Sequence, residues 1–265
     1  QEGGRVNRLK ERYGFPATVS QEYLGTLNNN DTTKFYADRT ANTLKNLGIN
    51  INFAPVVDVN INPKSPAIGN IERSFSDNPQ VIINHSEVII GSHKSLNIYT
   101  ALKHFPGHGS AANDSHHGFT DVTTTWKEVE LEPYRELINN GYQDFIMTAH
   151  IFNSNLDPEY PATLSHKIMT GILRERLGFE GVIVSDDMNM GAIANNYGLE
   201  TAVRKSIEAG VDIILFANNL TYDEKIAEKV IAIIKKMINH RVINVTRIDE
   251  SYNRIMSMKR RIHIM

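Results

Sequence analysis

Short apolar runs alternate along this chain with amphipathic stretches of helical period, and each run delivers a polar residue at or just past its end. The runs are Ile51 to Val57, Ile98 to Lys103, Asp144 to Ala149, Gly181 to Ser185 and Asp212 to Phe216. They are short and rich in Ile, Val and Phe, as strands buried on both faces are. The polar residues that follow are Asp58, His104, His150, Asp186 and Asn218. Alternating β and α of this spacing implies a parallel sheet with right-handed crossovers. A (β/α)8 barrel of TIM type and an open doubly wound sheet both satisfy the alternation. Chemistry-bearing side chains at successive strand ends favour the barrel. Only five strands are legible, so the first strands of a closed barrel are expected upstream of Gln1.

The intervening helices have readable ends. Tyr36, Thr40, Leu44 and Leu47 share a face that Gly48 terminates. Ser165 is placed to cap a helix carrying Ile168, Ile172 and Leu173, closed by Gly178. Thr221 and Glu224 form a capping box ahead of Ile226, Val230, Ile233 and Met237. Thr246 precedes a last helix with Ile248, Tyr252, Ile255 and Ile262. No repeat, low-complexity tract or linker interrupts the pattern, so residues 1–265 are expected to form one domain.

Composition narrows the function classes. The formal net charge of −2 gives no pull toward nucleic acid or an anionic membrane. The most basic stretch, Lys259-Arg260-Arg261, ends a helical pattern, where cations favour the macrodipole. The chain has no cysteine, which excludes disulfides and thiolate metal sites. No apolar run approaches the roughly 20 residues that span a bilayer. The chain opens at Gln1-Glu2-Gly3-Gly4-Arg5-Val6 without an initiator methionine, and reads as a fragment. Any signal peptide would have stood upstream, so the compartment stays open.

The densest chemistry lies in Lys103-His104-Phe105-Pro106-Gly107-His108-Gly109, followed by Asp114-Ser115-His116-His117. Gly and Pro make this segment a sharply turning loop at a strand end. Three readings compete. It is a metal site built from His104, His108, His116 and His117, although the spacing is not the H-E-x-x-H type. It is a polar loop held by its own hydrogen bonds. Or Asp114 orients His116 as an acid/base group, with Lys103 and His104 as substrate donors. A second motif, Gly181 to Met188, brings the adjacent carboxylates Asp186 and Asp187 to a strand end. Successive strand side chains point to opposite sides. One Asp therefore faces the site and the other caps the next helix or binds a neighbouring backbone. Arg73, in Glu72-Arg73-Ser74-Phe75-Ser76, is either a ligand clamp or a surface partner of Glu72 or Asp77. Arg5 and Arg8 beside Gly3-Gly4 are structural or ligand-facing. His150 at the end of Met147-Thr148-Ala149 reads as a satisfied core histidine.

Taken together and in order, QEGGRV, NFAPVVDVN, ERSFS, KHFPGHG with DSH, MTAHI, PATLS, LRERLGFEGVIVSDDMNM, NYG and AGVDIIL resemble glycoside hydrolase family 3. The resemblance covers nearly the whole chain and is to the bacterial exo-β-N-acetylglucosaminidase branch. It implies a TIM-type barrel and a retaining β-N-acetylhexosaminidase. Asp186 would be the nucleophile, His116 the acid/base group and Asp114 its orienting partner. Arg8, Arg73, Lys103 and His104 would hold the sugar. Such a His replaces the second carboxylic acid usual in retaining glycosidases. The implied partner is an N-acetylglucosamine-containing glycan or muropeptide. No cofactor, metal or nucleic acid is implied, and further domains in a parent protein are left open. Phosphate replaces water as acceptor in some members. The chain departs from the pattern twice. The family's sugar-binding Asp stands directly before QEGGRV, one residue upstream of this sequence's start, and with it go the first two strands; unless a parent protein supplies them, the fragment is expected to be poorly stable and inactive. DSHHGFTDV also lacks the Pro that relatives carry soon after DSH. Two other readings remain: a β-glucosidase or β-xylosidase of the same family, and a catalytically silent glycan-binding module.

Overall fold

A computed structural model describes residues 1–113, 120–218 and 222–261. The helices are α1 (Gln21–Leu27), α2 (Asn30–Asn46), α3 (Pro79–Lys94), α4 (Glu132–Asn139), α5 (Gly191–Ala194), α6 (Leu199–Ala209), α7 (Ile226–Asn239) and α8 (Val245–Arg261). A π-type helix spans Lys167–Arg176. The strands are β1 (Ile51–Asn52), β2 (Tyr99–Phe105), β3 (Thr120–Asp121), β4 (Phe145–Thr148), β5 (Ile151–Phe152) and β6 (Val182–Val184). The chain divides into two compact units, Gln1–Ala112 with Thr125–Met147 and Asn113–Thr124 with Thr148–Met265. Among the described residues, no helix is long and apolar enough to cross a membrane.

In the first unit, β2 lies between β1 and β4, and every residue of β2 is buried. β1 runs parallel to it, with Ile51 opposite Tyr99 and Asn52 opposite Thr100. The expected strand Ile51 to Val57 is cut short because Pro55 has no N–H for the ladder. Ala101 N still donates to Ala54 O at 3.0 Å, and a bridge forms between Val56 and Lys103. The Gln21 side chain satisfies both backbone groups of Val56. Its Nε2 donates to Val56 O at 2.7 Å and its Oε1 accepts from Val56 N at 3.0 Å. Helix α2 packs with α3. Its buried line is Thr33, Ala37, Ala41 and Leu44, one residue round from the expected face, and Leu47 is 48% exposed. The shift follows from Thr33, whose hydroxyl lies 2.7 Å from Nδ1 of the buried His85.

In the second unit, β3 and β5 form a parallel pair that apolar patterning did not reveal, with Thr120 opposite Ile151. Ser165 caps the π-type helix as expected, its Oγ accepting from Ile168 N at 3.1 Å. The expected strand Asp212 to Phe216 is reduced to one bridge, Val184 with Ile213. Backbone bonds remain from Ser185 N to Ile213 O and from Met188 N to Leu215 O, both 2.9 Å, and side chains take further groups: Leu215 N donates to Ser185 Oγ at 2.8 Å and Ala217 N to Asp187 Oδ1 at 3.0 Å. The α7 face is as read, with Ile226, Val230, Ile233 and Met237 packed with Val203 and Ile207 of α6. Thr221 of the expected capping box lies outside the described residues. The last helix begins one residue before Thr246, whose N–H is capped by Asn244 Oδ1 at 3.0 Å. Tyr252, expected inside, is 60% exposed, and Met258 is the buried residue of α8. Ile262 lies outside the described residues.

Asp212 ties this unit together. Its buried carboxylate accepts from Arg174 at 2.6 Å, Arg254 at 3.0 Å, Ser251 at 2.6 Å and Ile183 N at 2.9 Å. Removing it takes the carboxylate from three guanidinium groups, Arg174, Arg247 and Arg254, and leaves the Ile183 N–H without it. Asp212→Ala is expected to lower the unfolding free energy by about 3 kcal/mol or more, read as a fall in denaturant midpoint at pH 7.

Candidate active site

In the first unit, the end of β2 and the loops beside it enclose an ionic cluster. Glu2 lies at its centre, its side chain 4% exposed. Glu2 Oε1 accepts from Lys103 Nζ at 2.5 Å and from Arg73 Nη2 at 2.7 Å, while Oε2 accepts from Arg73 Nε at 2.8 Å. The Arg73 fork is thus bidentate, the geometry in which guanidinium and carboxylate match best. Burial works to raise the Glu2 carboxyl. The Lys103 charge, then the Arg73 charge and their hydrogen bonds, outweigh it and hold the group well below the usual carboxylate range. Arg73 also donates from Nη1 to Ala67 O at 2.8 Å and from Nη2 to His104 Nε2 at 3.2 Å.

That last bond settles the His104 tautomer. Guanidinium only donates, so Nε2 holds the lone pair and the proton sits on Nδ1. Nδ1 lies 2.7 Å from Asp58 Oδ2 and donates to it. Asp58 is fully buried, and its Oδ1 accepts from His104 N at 3.0 Å and His108 N at 2.8 Å. One carboxylate therefore pins the loop after β2 at three points. Burial, then the adjacent His104, pushes His108 down to about 4, so it is neutral at physiological pH. Beneath the loop, Glu130 Oε2 accepts from Gly109 N at 2.9 Å and Ser110 N at 3.3 Å. Burial, with Asp58 adding to it, pushes the Glu130 carboxyl up to about 7. Both glycines are sterically required. A Cβ at Gly109 would stand 1.7 Å from Val59 O, and one at Gly107 2.5 Å from Glu130 Cβ.

In the second unit, the residues after β6 separate two neighbouring carboxylates. Asp187 is buried, and its Oδ1 accepts from Asn189 N and Ala217 N, both at 3.0 Å. This is the neighbouring-backbone role expected for one of the two carboxylates. Asp186 is half-buried, and its Oδ1 accepts from Asp187 N at 2.8 Å. His150 is a core histidine, 1% exposed, with ring nitrogens 2.8 Å from Thr163 Oγ1 and 3.0 Å from Asp187 O.

Of the expected sugar-holding residues, Arg73, Lys103 and His104 come together around Glu2. Arg8 is exposed and lies outside this buried cluster, its backbone N–H donating to Gln1 Oε1 at 3.0 Å. Arg73 does not pair with Glu72 or Asp77 at the surface; Glu72 instead meets Arg5 at 3.3 Å. Asp114, His116 and His117 lie outside the described residues. Among the described residues, no group of three or more His, Asp or Glu side chains has the geometry to hold a metal ion. Sequence reasoning passed over Glu2 and Glu130. The run of glycines after Glu2 was a signal, since it lets the backbone bring a carboxylate close to a strand end. Glu130 gave none: within Lys127-Glu128-Val129-Glu130 it reads as a solvated charge.

A family model described as the glycosyl hydrolase family 3 N-terminal domain matches residues 1–258. The chain is 34% identical to beta-hexosaminidase A of Pseudoalteromonas piscicida over 98% of its own length and 46% of that protein's. It is 31% identical to beta-hexosaminidase LpqI of Mycobacterium tuberculosis over 98% of its length and 66% of that protein's. A solved family 3 beta-N-acetylglucosaminidase from Paenibacillus superposes with a TM-score of 0.90 at 32% identity, covering 99% of this chain and 49% of that one. The chain thus spans about half to two thirds of these relatives. Its fold class is the α/β, TIM-barrel type of such domains.

Glu130 gives the cluster a testable pH dependence. A carboxyl whose folded pKa lies above its unfolded one binds extra proton in the folded state. Its contribution to stability is therefore full below the unfolded value of ~4.3 and is lost as pH rises through about 7. Against Glu130→Gln, the wild type is expected to lose stability across this window, as measured by urea unfolding at a series of pH values.

Proposed function

The chain belongs to glycosyl hydrolase family 3, and from that premise we propose that it removes terminal β-linked N-acetylglucosamine by double displacement, with peptidoglycan-derived muropeptides as the substrate source. The relatives named beta-hexosaminidase and beta-N-acetylglucosaminidase support the sugar. The observation that carries the mechanism is the division between Asp186 and Asp187. Two backbone N–H groups occupy Asp187, while Asp186 is half-buried at the strand end.

Asp186 attacks the anomeric carbon, and the bond to the aglycone oxygen breaks as that oxygen takes a proton from His116. Water then attacks the same carbon, gives a proton to His116 and releases Asp186. The Asp187 N–H donates to Asp186 Oδ1 at 2.8 Å and orients the carboxylate. Asp114 orients the His116 ring and stabilises its charged form. An imidazole base carries no negative charge, which suits an anionic acceptor such as phosphate as well as water. Lys103, Arg73 and His104 bind sugar hydroxyls, with Glu2 and Asp58 fixing the rings and cations from behind. Arg8 is the exposed fourth member of the sugar-holding set.

The test is turnover of an aryl N-acetyl-β-glucosaminide beside the matching aryl β-glucoside by the full-length protein. Strong preference for the N-acetyl sugar is expected. Asp186→Asn and His116→Ala are each expected to lower kcat by about 10²-fold or more. A loss below tenfold in either variant would reject that residue's role. Preference for the glucoside would make the protein a β-glucosidase of the family, and sugar binding without turnover a glycan-binding module.

A further inference from the structure

One polar chain in the second unit has no part in the roles assigned above. His150 Nε2 lies 3.0 Å from the carbonyl oxygen of Asp187, and its Nδ1 lies 2.8 Å from Thr163 Oγ1. Thr163 Oγ1 is 2.7 Å from Thr148 Oγ1, and Thr148 Oγ1 accepts a long bond of 3.4 Å from the backbone N–H of Asp186. His150, Thr148 and Thr163 are all within 1% of full burial.

Chemistry gives this chain a direction. A carbonyl oxygen only accepts, so His150 Nε2 carries a proton. In the neutral ring Nδ1 then holds the lone pair, and the Thr163 hydroxyl donates to it. Thr163 has one proton to give, so it accepts from Thr148, which accepts from Asp186 N. The order is Asp186 N–H, Thr148, Thr163, His150, Asp187 C=O. The Thr163 hydroxyl also lies 2.9 Å from Ala149 O, which receives the proton only when Nδ1 holds one of its own. A histidine satisfied merely for burial could use any nearby carbonyl. This one closes a loop whose two ends hold backbone groups on either side of the Asp186 side chain. The Asp187 N–H between those ends donates to Asp186 Oδ1 at 2.8 Å.

We propose that His150, Thr163 and Thr148 are positioning residues for Asp186, holding the backbone at 186–187 so that the carboxylate is presented in a single orientation. The inference rests on Asp186 being the nucleophile. Misplacing a reacting group by about 1 Å costs on the order of 10²-fold in rate, so the effect belongs in kcat more than in KM.

The decisive pair is Thr163→Val, which removes the hydroxyl at nearly constant shape, and Thr163→Ser, which keeps it. Both are measured in the full-length protein on an aryl N-acetyl-β-glucosaminide, beside Asp186→Asn. Thr163→Val is expected to lower kcat by about 10- to 100-fold with KM within about threefold and a melting temperature within about 5 °C of wild type. Thr163→Ser is expected to restore kcat to within about threefold. Should Thr163→Val not fold, Thr148→Val is judged by the same criteria. Unchanged kcat in the valine variant, or a serine variant as slow as the valine one, overturns the positioning role while inactive Asp186→Asn upholds the nucleophile. An active Asp186→Asn rejects the nucleophile itself, and the positioning role with it.

Discussion

Backbone groups at the C-terminal ends of strands must find partners once the ladder stops, and in this chain side chains supply them. A buried N–H or C=O without a partner costs about as much as a lost hydrogen bond. Gln21 satisfies both backbone groups of Val56, past Pro55. Asp58 receives the N–H groups of His104 and His108. Ser185 and Asp187 take Leu215 N and Ala217 N beyond β6. The polar residues that mark strand ends in the sequence are thus first a solution to a backbone problem. Chemistry is built on the geometry they impose: Asp58, by ending a strand, also sets the His104 tautomer.

The same arrangement shows why charge burial is tolerable in the first unit. Glu2, Arg73 and Lys103 would each be costly alone in a dry environment. Together they carry two positive charges and one negative, with bidentate geometry on the guanidinium. The cluster therefore keeps a net cationic character while each of its charges has a partner.

Much of this was legible in the sequence, for identifiable reasons. Four of the five apolar runs became strands at least in part, because burial on both faces leaves a continuous apolar run. The fifth, Asp212 to Phe216, kept its place with one bridge and a few backbone bonds, while Ser185 and Asp187 side chains take its other N–H groups, a sharing that periodicity does not register. The β3 and β5 pair is two residues long on each side and leaves no periodic trace. That one of the two adjacent carboxylates binds neighbouring backbone was legible; which one was not, since both lie past the end of β6 and packing decides it. Glu2 and Glu130 were missed because composition and spacing treat an isolated Glu as solvated, and only tertiary packing decides otherwise. Arg8 is exposed, a placement its motif does not specify.

The space around Gly109 has a bearing on how sequence comparisons of such loops are interpreted. With Val59 O where any Cβ would stand, even alanine is barred there. Selection would hold that position constant in a protein that had lost every catalytic group, so long as the strand and loop still packed. Constancy at Gly109 therefore records how strand and loop pack and carries no record of a reaction.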